Sequence, residues 1–364
     1  MSDLESIGYY FVFNSEDGTL LKEKRALPRL GNSELLVKID YCSLCGSDLH
    51  TYCGLRKEAN PTILGHEIVG TVHEINKDKE ILDLAGKPIR VNDRITWTVF
   101  ASNPNTDEYN PETPQKNSGL YKYGHRQLTE EDNFHGGLAS HILLKKDTGI
   151  RILPKDIPLA IAATINCAIA TSAGALRLCS SIRGKVIFIS GMGMLGLTAV
   201  AMCKEFGAKK IIVSDTDSSR LELAQKFGAD QAVSSHENIH SNLLNQRIDR
   251  FIDMSGSPEA MEIGLQVLGI NGIAVFVGAV FKQRPIEIDA EQVIRKLIQI
   301  KGLHNYNYDD FNTATDFIIE NYYKYPFRQL VEREFDFDQM VEAFEYAVKN
   351  KPVRTGIKIS IPHD

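Results

Sequence analysis

Cys45, His66 and Cys167 are residue types that hold zinc, and they stand in a chain whose six cysteines, at 42, 45, 53, 167, 179 and 203, show no paired framework. Cys45 opens the run Cys45-Gly46-Ser47-Asp48-Leu49-His50. His66 follows shortly after in Gly65-His66-Glu67, while Cys167 lies far downstream. Singly, each has a bland role, because a cysteine is commonly a small buried hydrophobe and a histidine a hydrogen-bonded polar group. Together, two thiolates and an imidazole make a three-ligand set that leaves a fourth tetrahedral position for water or substrate. A catalytic zinc keeps that position open; a structural zinc fills it with a fourth residue.

A second constellation begins at Gly191-Met192-Gly193-Met194-Leu195-Gly196. The glycines suit a tight turn, a close approach of backbone to a pyrophosphate, and helix–strand contact. The pyrophosphate would sit on the unpaired N–H groups of the helix that follows. Alone, such a motif is an ordinary glycine-rich loop. Here Val186–Ser190 precedes it as an apolar strand, and Asp215 ends the next strand nineteen residues after Gly196. That carboxylate suits the ribose hydroxyls of NAD and repels the 2′-phosphate of NADP. Arg220, five residues on, could soften that preference, although a solvated helix charge is the readier role for it.

Two kinds of element must position these groups. Up to about residue 150 the chain reads as short strands, among them Glu34–Ile39, Ile68–Ile75 and Ser140–Leu144, joined by irregular loops. The stretch 103–132 is rich in Asn, Pro, Thr, Glu and Tyr and reads as a long polar loop. After Ile161 strands and helices alternate. The strands are Val186–Ser190, Ile211–Ser214, Phe251–Met254, Ile273–Val277 and Ile298–Leu303, and the helices Leu197–Phe206, Ser218–Phe227, Pro258–Leu268 and Glu291–Leu297. That rhythm specifies an α/β doubly wound parallel sheet, covered on both faces. From Tyr306 the composition changes again.

With those motifs in view, the chain resembles the zinc-dependent medium-chain dehydrogenases/reductases of the alcohol dehydrogenase family over almost its full length. The resemblance rests on Cys-Gly-Ser-Asp-Leu-His, Gly-His-Glu-Ile-Val-Gly, the glycine turn and the acidic strand end. It implies a GroES-like β-rich catalytic domain from residues 1–160 and 306–364, with a Rossmann NAD-binding domain from 161–305 between them. It implies Cys45, His66 and Cys167 as ligands of one catalytic zinc, Glu67 beside the metal, Asp48 orienting His66, and Ser47 and His50 as a proton relay. Gly191, Gly193, Gly196 and Asp215 bind NAD, with Arg220 nearby, and Arg354, in Arg354-Thr355, is implied at the cofactor pyrophosphate. Many relatives carry four closely spaced cysteines for a second, structural zinc; residues 103–120 contain none, so no structural zinc is expected. The charged insertion 76–87 is a further departure.

Composition sets the outer limits. The chain has 364 residues, 43% hydrophobic and 24% charged, with a formal net charge of −6, which suits two globular domains. The mild acidity gives no electrostatic reason to expect nucleic acid or an anionic membrane as partner. Three uncharged runs, Pro158–Leu176, Val186–Cys203 and Ile263–Phe281, are broken by glycine and polar residues and read as buried strand–turn–helix units. The N-terminus lacks a signal-peptide pattern. The expectation is a cytoplasmic enzyme, a homodimer or homotetramer, that moves hydride between NAD(H) and an alcohol or carbonyl on a small polar molecule.

Lys122-Tyr-Gly-His125, Gly136-Gly137 and Asn166-Cys167-Ala-Ile-Ala-Thr171 resemble members associated with phosphonate metabolism. That implies a hydroxyalkylphosphonate substrate, with Arg126 and Lys122 for its anion. A polyol, cyclitol or sugar alcohol is the alternative. A zinc-free reductase of the same fold and a non-catalytic NAD-binding protein are the rivals from other directions. Intact metal ligands argue against the first, and Ser47 and His50 in register with them against the second. His125 is a surface histidine or a residue returning to the active site. His73, His236 and His240 read as solvated.

Overall fold

The computed structural model describes residues 6–76, 80–237, 239, 243 and 246–360. His240 and residues 77–79 of the charged insertion lie outside these. The chain divides into two compact units, one formed by 1–167, 307–322 and 327–364, the other by 168–306 and 323–326.

The first unit is built on an eight-stranded sheet in the order Val331–Asp336, Arg354–Lys358, Leu35–Leu44, Glu67–Ile75, Arg94–Ala101, Tyr121–Lys122. His141–Leu144 pairs with Leu35–Leu44, and Thr148–Ile152 with Arg94–Ala101. All of its pairings are antiparallel except that of the first two strands. A separate hairpin joins Ile7–Asn14 to Thr19–Ala26. Trp97, Tyr123, Ile39, Ile68, Ile95 and Leu138 are fully buried in the core of this unit. Leu35–Leu44 is buried along most of its length, because it is flanked on both edges, and this makes it the rigid frame of the site. Its register sets Ser43 opposite Glu67 on one side and opposite Gly356 on the other. Cys45 and the helix Gly46–Tyr52 follow at once.

The second unit is a six-stranded parallel sheet in the order Gln231–Ser234, Lys210–Asp215, Val186–Ser190, Ile248–Asp253, Leu268–Phe276, Gln299–Gly302. Numbered within the unit this is 3-2-1-4-5-6, the dinucleotide-binding order, with its switch point between Val186–Ser190 and Ile248–Asp253. The helices Met194–Glu205, Ser218–Lys226, Pro258–Val267 and Ala290–Lys296 connect the strands. Met194–Glu205 starts three residues ahead of the expected Leu197, because Gly193 is its N-cap.

The units part at Cys167 and not at residue 160, because the short helix Leu159–Ala162 packs on Leu35–Leu44 and Glu67–Ile75. Residues 323–326 go with the second unit, where Tyr325 donates to Glu205 at 2.8 Å. The run Pro158–Leu176 also differs from expectation: it is helical, with a π-turn at Ile165–Ile169, and contains no strand. Among the described residues Leu159–Leu178 is the one helix long and apolar enough to cross a membrane, and 83% of it is buried inside the protein.

Two buried histidines in the first unit carry a stability consequence. His135 is fully buried, neither of its ring nitrogens has a hydrogen-bond partner, and burial pulls its pKa down to about 4. Burial does the same to His141, also to about 4. An unfolded histidine takes its proton near pH 6.5. Between those values the unfolded chain binds more protons than the folded one, so stability falls as pH falls from about 6.5 to about 4. At pH 5 each site accounts for about 2 kcal/mol lost relative to pH 7. Urea unfolding at both pH values should show His135→Leu losing less stability on acidification than the parent chain.

Candidate active site

The three expected ligands converge. Sγ of Cys45, a ring nitrogen of His66 and Sγ of Cys167 all lie within 4.8 Å of one another. Three elements bring them there: Cys45 caps the helix Gly46–Tyr52, His66 immediately precedes the strand Glu67–Ile75, and Cys167 sits in the π-turn Ile165–Ile169. π-Turns of this kind are frequent at functional sites, since the extra residue pushes one side chain out of helical register.

Asp48 locks the first two ligands together. Its buried carboxylate accepts from the Cys45 N–H at 3.0 Å and the Gly65 N–H at 3.1 Å, and lies 3.2 Å from Nδ1 of His66. Nδ1 is thereby held toward the carboxylate and Nε2 is turned to the cluster, the usual arrangement around a metal-bound imidazole. Cys167 hydrogen-bonds to Cys45 and, with Arg354 and His66 nearby, holds the Cys45 thiol well below its ordinary pKa. Burial opposes a charged His66, yet Asp48 and Cys45 raise its pKa to about 10. A pre-formed thiolate and an imidazole that gives up its proton on metal binding fit zinc chemistry.

Behind the ligands lies a buried ion pair. Glu67 accepts from Nε and Nη2 of Arg354 at 2.8 and 2.9 Å and from Oγ of Ser43 at 2.6 Å. Nη2 of Arg354 also points at Sγ of Cys45, 3.9 Å away. Burial pushes the Glu67 carboxyl above its ordinary value while Arg354 pulls it down. Removing one partner of such a pair strands a buried charge and costs about 3–5 kcal/mol. Arg354→Met should therefore lower stability by that amount in urea unfolding. The double variant with Glu67→Gln should lose less than the sum of the two single changes.

Ser47 and His50 share the helix Gly46–Tyr52, three residues apart and so on one face. Oγ of Ser47 is 3.3 Å from Nε2 of His66, at the metal cluster. Burial lowers the pKa of His50.

In the second unit the glycine turn has the form expected of it. Gly191 has φ +88°, and a Cβ there would meet the Ser255 backbone at 2.6 Å. A Cβ on Gly196 would collide with the Gly191 carbonyl, whereas one on Gly193 would meet nothing within 4 Å. The turn is tight where it must be and open where a phosphate would approach. Asp215 is tied to it: its carboxylate accepts from the Met192 N–H at 2.5 Å and the Asp217 N–H at 2.9 Å. The turn, the open position at Gly193 and the acidic strand end together fit a nicotinamide dinucleotide.

Two family models match the chain. Residues 31–155 match the alcohol dehydrogenase GroES-like domain and residues 195–320 the zinc-binding dehydrogenase, together well over half its length. The chain belongs to the zinc-dependent medium-chain alcohol dehydrogenase family. D-arabitol-phosphate dehydrogenase of Enterococcus avium is 26% identical over 348 residues, covering 92% of each chain. Sorbitol dehydrogenase of Halalkalibacterium halodurans is 25% identical, over 92% of this chain and 93% of its own. Among solved structures, an alcohol dehydrogenase from Thermotoga maritima superposes with a TM-score of 0.90 at 23% identity, over 97% of this chain and 99% of that one. Galactitol-1-phosphate dehydrogenase from Escherichia coli gives 0.84 at 22%, over 96% and 100%.

Two residues expected at the cofactor or substrate have partners within the first unit. Arg354, expected at the cofactor pyrophosphate, is buried in the metal site, its guanidinium held by Glu67 and the Val353 carbonyl. Arg126, expected to meet a substrate anion, donates to Asp132 at 2.6 Å and stacks on Tyr121 with its guanidinium 4.3 Å from the ring centre. Arg220 stands in the first turn of Ser218–Lys226, 3.9 Å from Asp217. Cys42, Cys179 and Cys203 are buried core thiols and Cys53 is exposed. His73 and His236 are exposed.

The sequence reading missed Glu58 and Arg56. His125 returns to the metal site, its ring centre 5.0 Å from that of His66. Nδ1 of His125 meets Oε1 of Glu58 at 2.9 Å, and Nη2 of Arg56 reaches the same oxygen at 2.7 Å. No motif marks Glu58; only the separation of 67 residues closed by the fold reveals it.

Proposed function

We propose that this dehydrogenase oxidises an alcohol on a small polar molecule with NAD, using one zinc held by Cys45, His66 and Cys167 and no structural zinc. The convergence of those three side chains, with Oγ of Ser47 3.3 Å from Nε2 of His66, carries the reading. Zinc, when bound there, acts as a Lewis acid that makes a coordinated hydroxyl acidic and a carbonyl electrophilic. Ser47 accepts the hydroxyl proton at Oγ as it releases its own, and His50, its pKa lowered by burial, takes up the released proton and passes it to solvent. Asp48 keeps His66 oriented throughout, and Arg354 holds the Glu67 carboxylate turned to itself. Asp215 holds the adenosine ribose hydroxyls and disfavours a 2′-phosphate, which selects NAD.

The relatives named for arabitol phosphate, sorbitol and galactitol phosphate support a polyol or a phosphorylated polyol as substrate. A hydroxyalkylphosphonate has the same combination of hydroxyl and oxyanion. The test is NADH formation over a panel of simple alcohols, polyols, polyol phosphates and hydroxyalkylphosphonates. Turnover of at least one, abolished by a chelator and restored by zinc, is expected. Turnover that survives complete removal of zinc would overturn the reading.

A further inference from the structure

Glu67 follows His66 directly in the chain, yet among the described residues the metal cluster comprises Cys45, His66 and Cys167 and leaves Glu67 out. Its side chain is fully buried and both of its oxygens are taken. Oε1 accepts from Nη2 of Arg354 at 2.9 Å. Oε2 accepts from Nε of Arg354 at 2.8 Å and from Oγ of Ser43 at 2.6 Å. Nη2 is divided, since it also points at Sγ of Cys45, 3.9 Å away. The Ser43 hydroxyl is the short, undivided bond of the three.

Strand register sets that bond. Ser43 stands opposite Glu67 in one pairing and opposite Gly356 in the other. Arg354 lies two residues before Gly356, on the same face of its strand. Ser43, Glu67 and Arg354 therefore meet on one face of the sheet, and all three are buried. A buried hydroxyl without an acceptor is costly, and a buried carboxylate without donors more so. Each here satisfies the other.

The charge count says why this matters for the metal. The two thiolates of Cys45 and Cys167 already neutralise a divalent zinc ion. The Cys45 thiolate repels the Glu67 carboxylate, whereas a zinc ion among the ligands would attract it. A carboxylate that joined them would fill the open fourth position and leave the centre with net negative charge, which weakens a Lewis acid. We propose that Ser43 is a positioning residue of the metal centre, which with Arg354 holds Glu67 off the metal and keeps the fourth position open for substrate. This rests on the dehydrogenase reading above and gives Glu67 no coordinating role.

The experiment replaces zinc by cobalt and follows the visible spectrum of the whole protein as imidazole, which competes for the open position, is added. Losing a charge-assisted hydrogen bond shifts the Glu67 balance by about tenfold or more. Ser43→Ala should therefore bind imidazole about tenfold more weakly, and release zinc to a chelator about tenfold more slowly. Its cobalt spectrum should differ from the parent's before any imidazole is added. A hydroxyl that only stabilised the strand would, when lost, leave the metal looser, which is the opposite sign. Ser43→Ala combined with Glu67→Gln should regain the parent's imidazole affinity, because an amide is a poor zinc ligand.

Unchanged imidazole affinity in Ser43→Ala, or faster zinc release, overturns the proposal. Glu67→Gln alone is the second measurement. With Glu67 already off the metal it should not tighten imidazole binding; tightening by about tenfold would make Glu67 a ligand and overturn the proposal. A parent chain that binds cobalt and imidazole, with Ser43→Ala matching it, sinks this inference alone. A parent chain that takes up neither zinc nor cobalt sinks the dehydrogenase reading with it.

Discussion

Cys45→Ser is expected to purify with almost no zinc and to lose about a thousandfold or more in kcat/KM for alcohol oxidation. Lewis-acid stabilisation of developing negative charge is worth several kcal/mol, and a thousandfold corresponds to about 4 kcal/mol. The loss has two sources in this structure. Serine removes one of two thiolates and leaves an oxygen that does not ionise in this range. It also removes the anion that faces Arg354 and helps to set His66. The zinc content of the purified variant, measured beside its rate, separates a missing metal from a misplaced one. Cys53→Ser, at an exposed thiol outside the cluster, is the matched control and should keep both zinc and rate. If Cys45→Ser retains full zinc and rate, the metal is not held by this set.

The second large effect concerns the cofactor. The parent enzyme is expected to use NAD at least about a hundredfold better than NADP, because a 2′-phosphate beside the Asp215 carboxylate meets like charge costing several kcal/mol. Asp215→Asn keeps an acceptor for the Met192 N–H and removes only the charge, so it should raise the use of NADP while costing NAD modestly. Asp215→Ala also frees the Met192 N–H and loosens the glycine turn, and should weaken both cofactors. Initial rates across NAD and NADP concentrations read the ratio directly. A parent enzyme that uses the two cofactors equally would show that Asp215 does not meet the ribose.

The features legible in the sequence were those whose chemistry is local. The glycine turn, its preceding strand and Asp215 lie within thirty residues and follow from strand–turn–helix geometry alone. Asp48 is readable because it sits three residues after the cysteine whose N–H it accepts. Cys45, His66 and Cys167 are zinc-type residues whose grouping the resemblance supports, and the structure shows what closes the gap to Cys167: a π-turn that no periodicity announces.

What stayed hidden depends on long-range register. Arg354 faces Glu67 because Ser43 is paired with both Glu67 and Gly356, a relation across 287 residues that sequence order conceals. Lys122 and Arg126 look alike as candidate anion binders. The fold tells them apart, giving Asp132 and Tyr121 to Arg126 and setting Lys122 in the field of Arg56 and Glu58. The run Pro158–Leu176 was misread because apolar composition without a β-branched bias does not separate a buried helix from a strand–turn–helix unit.

The most direct test of the whole account is elemental analysis of the protein purified without chelators. One zinc per chain is expected, lost together with dehydrogenase activity on chelation and regained with it. Two zinc ions per chain would contradict the single site, and a fully active protein free of zinc would contradict the mechanism.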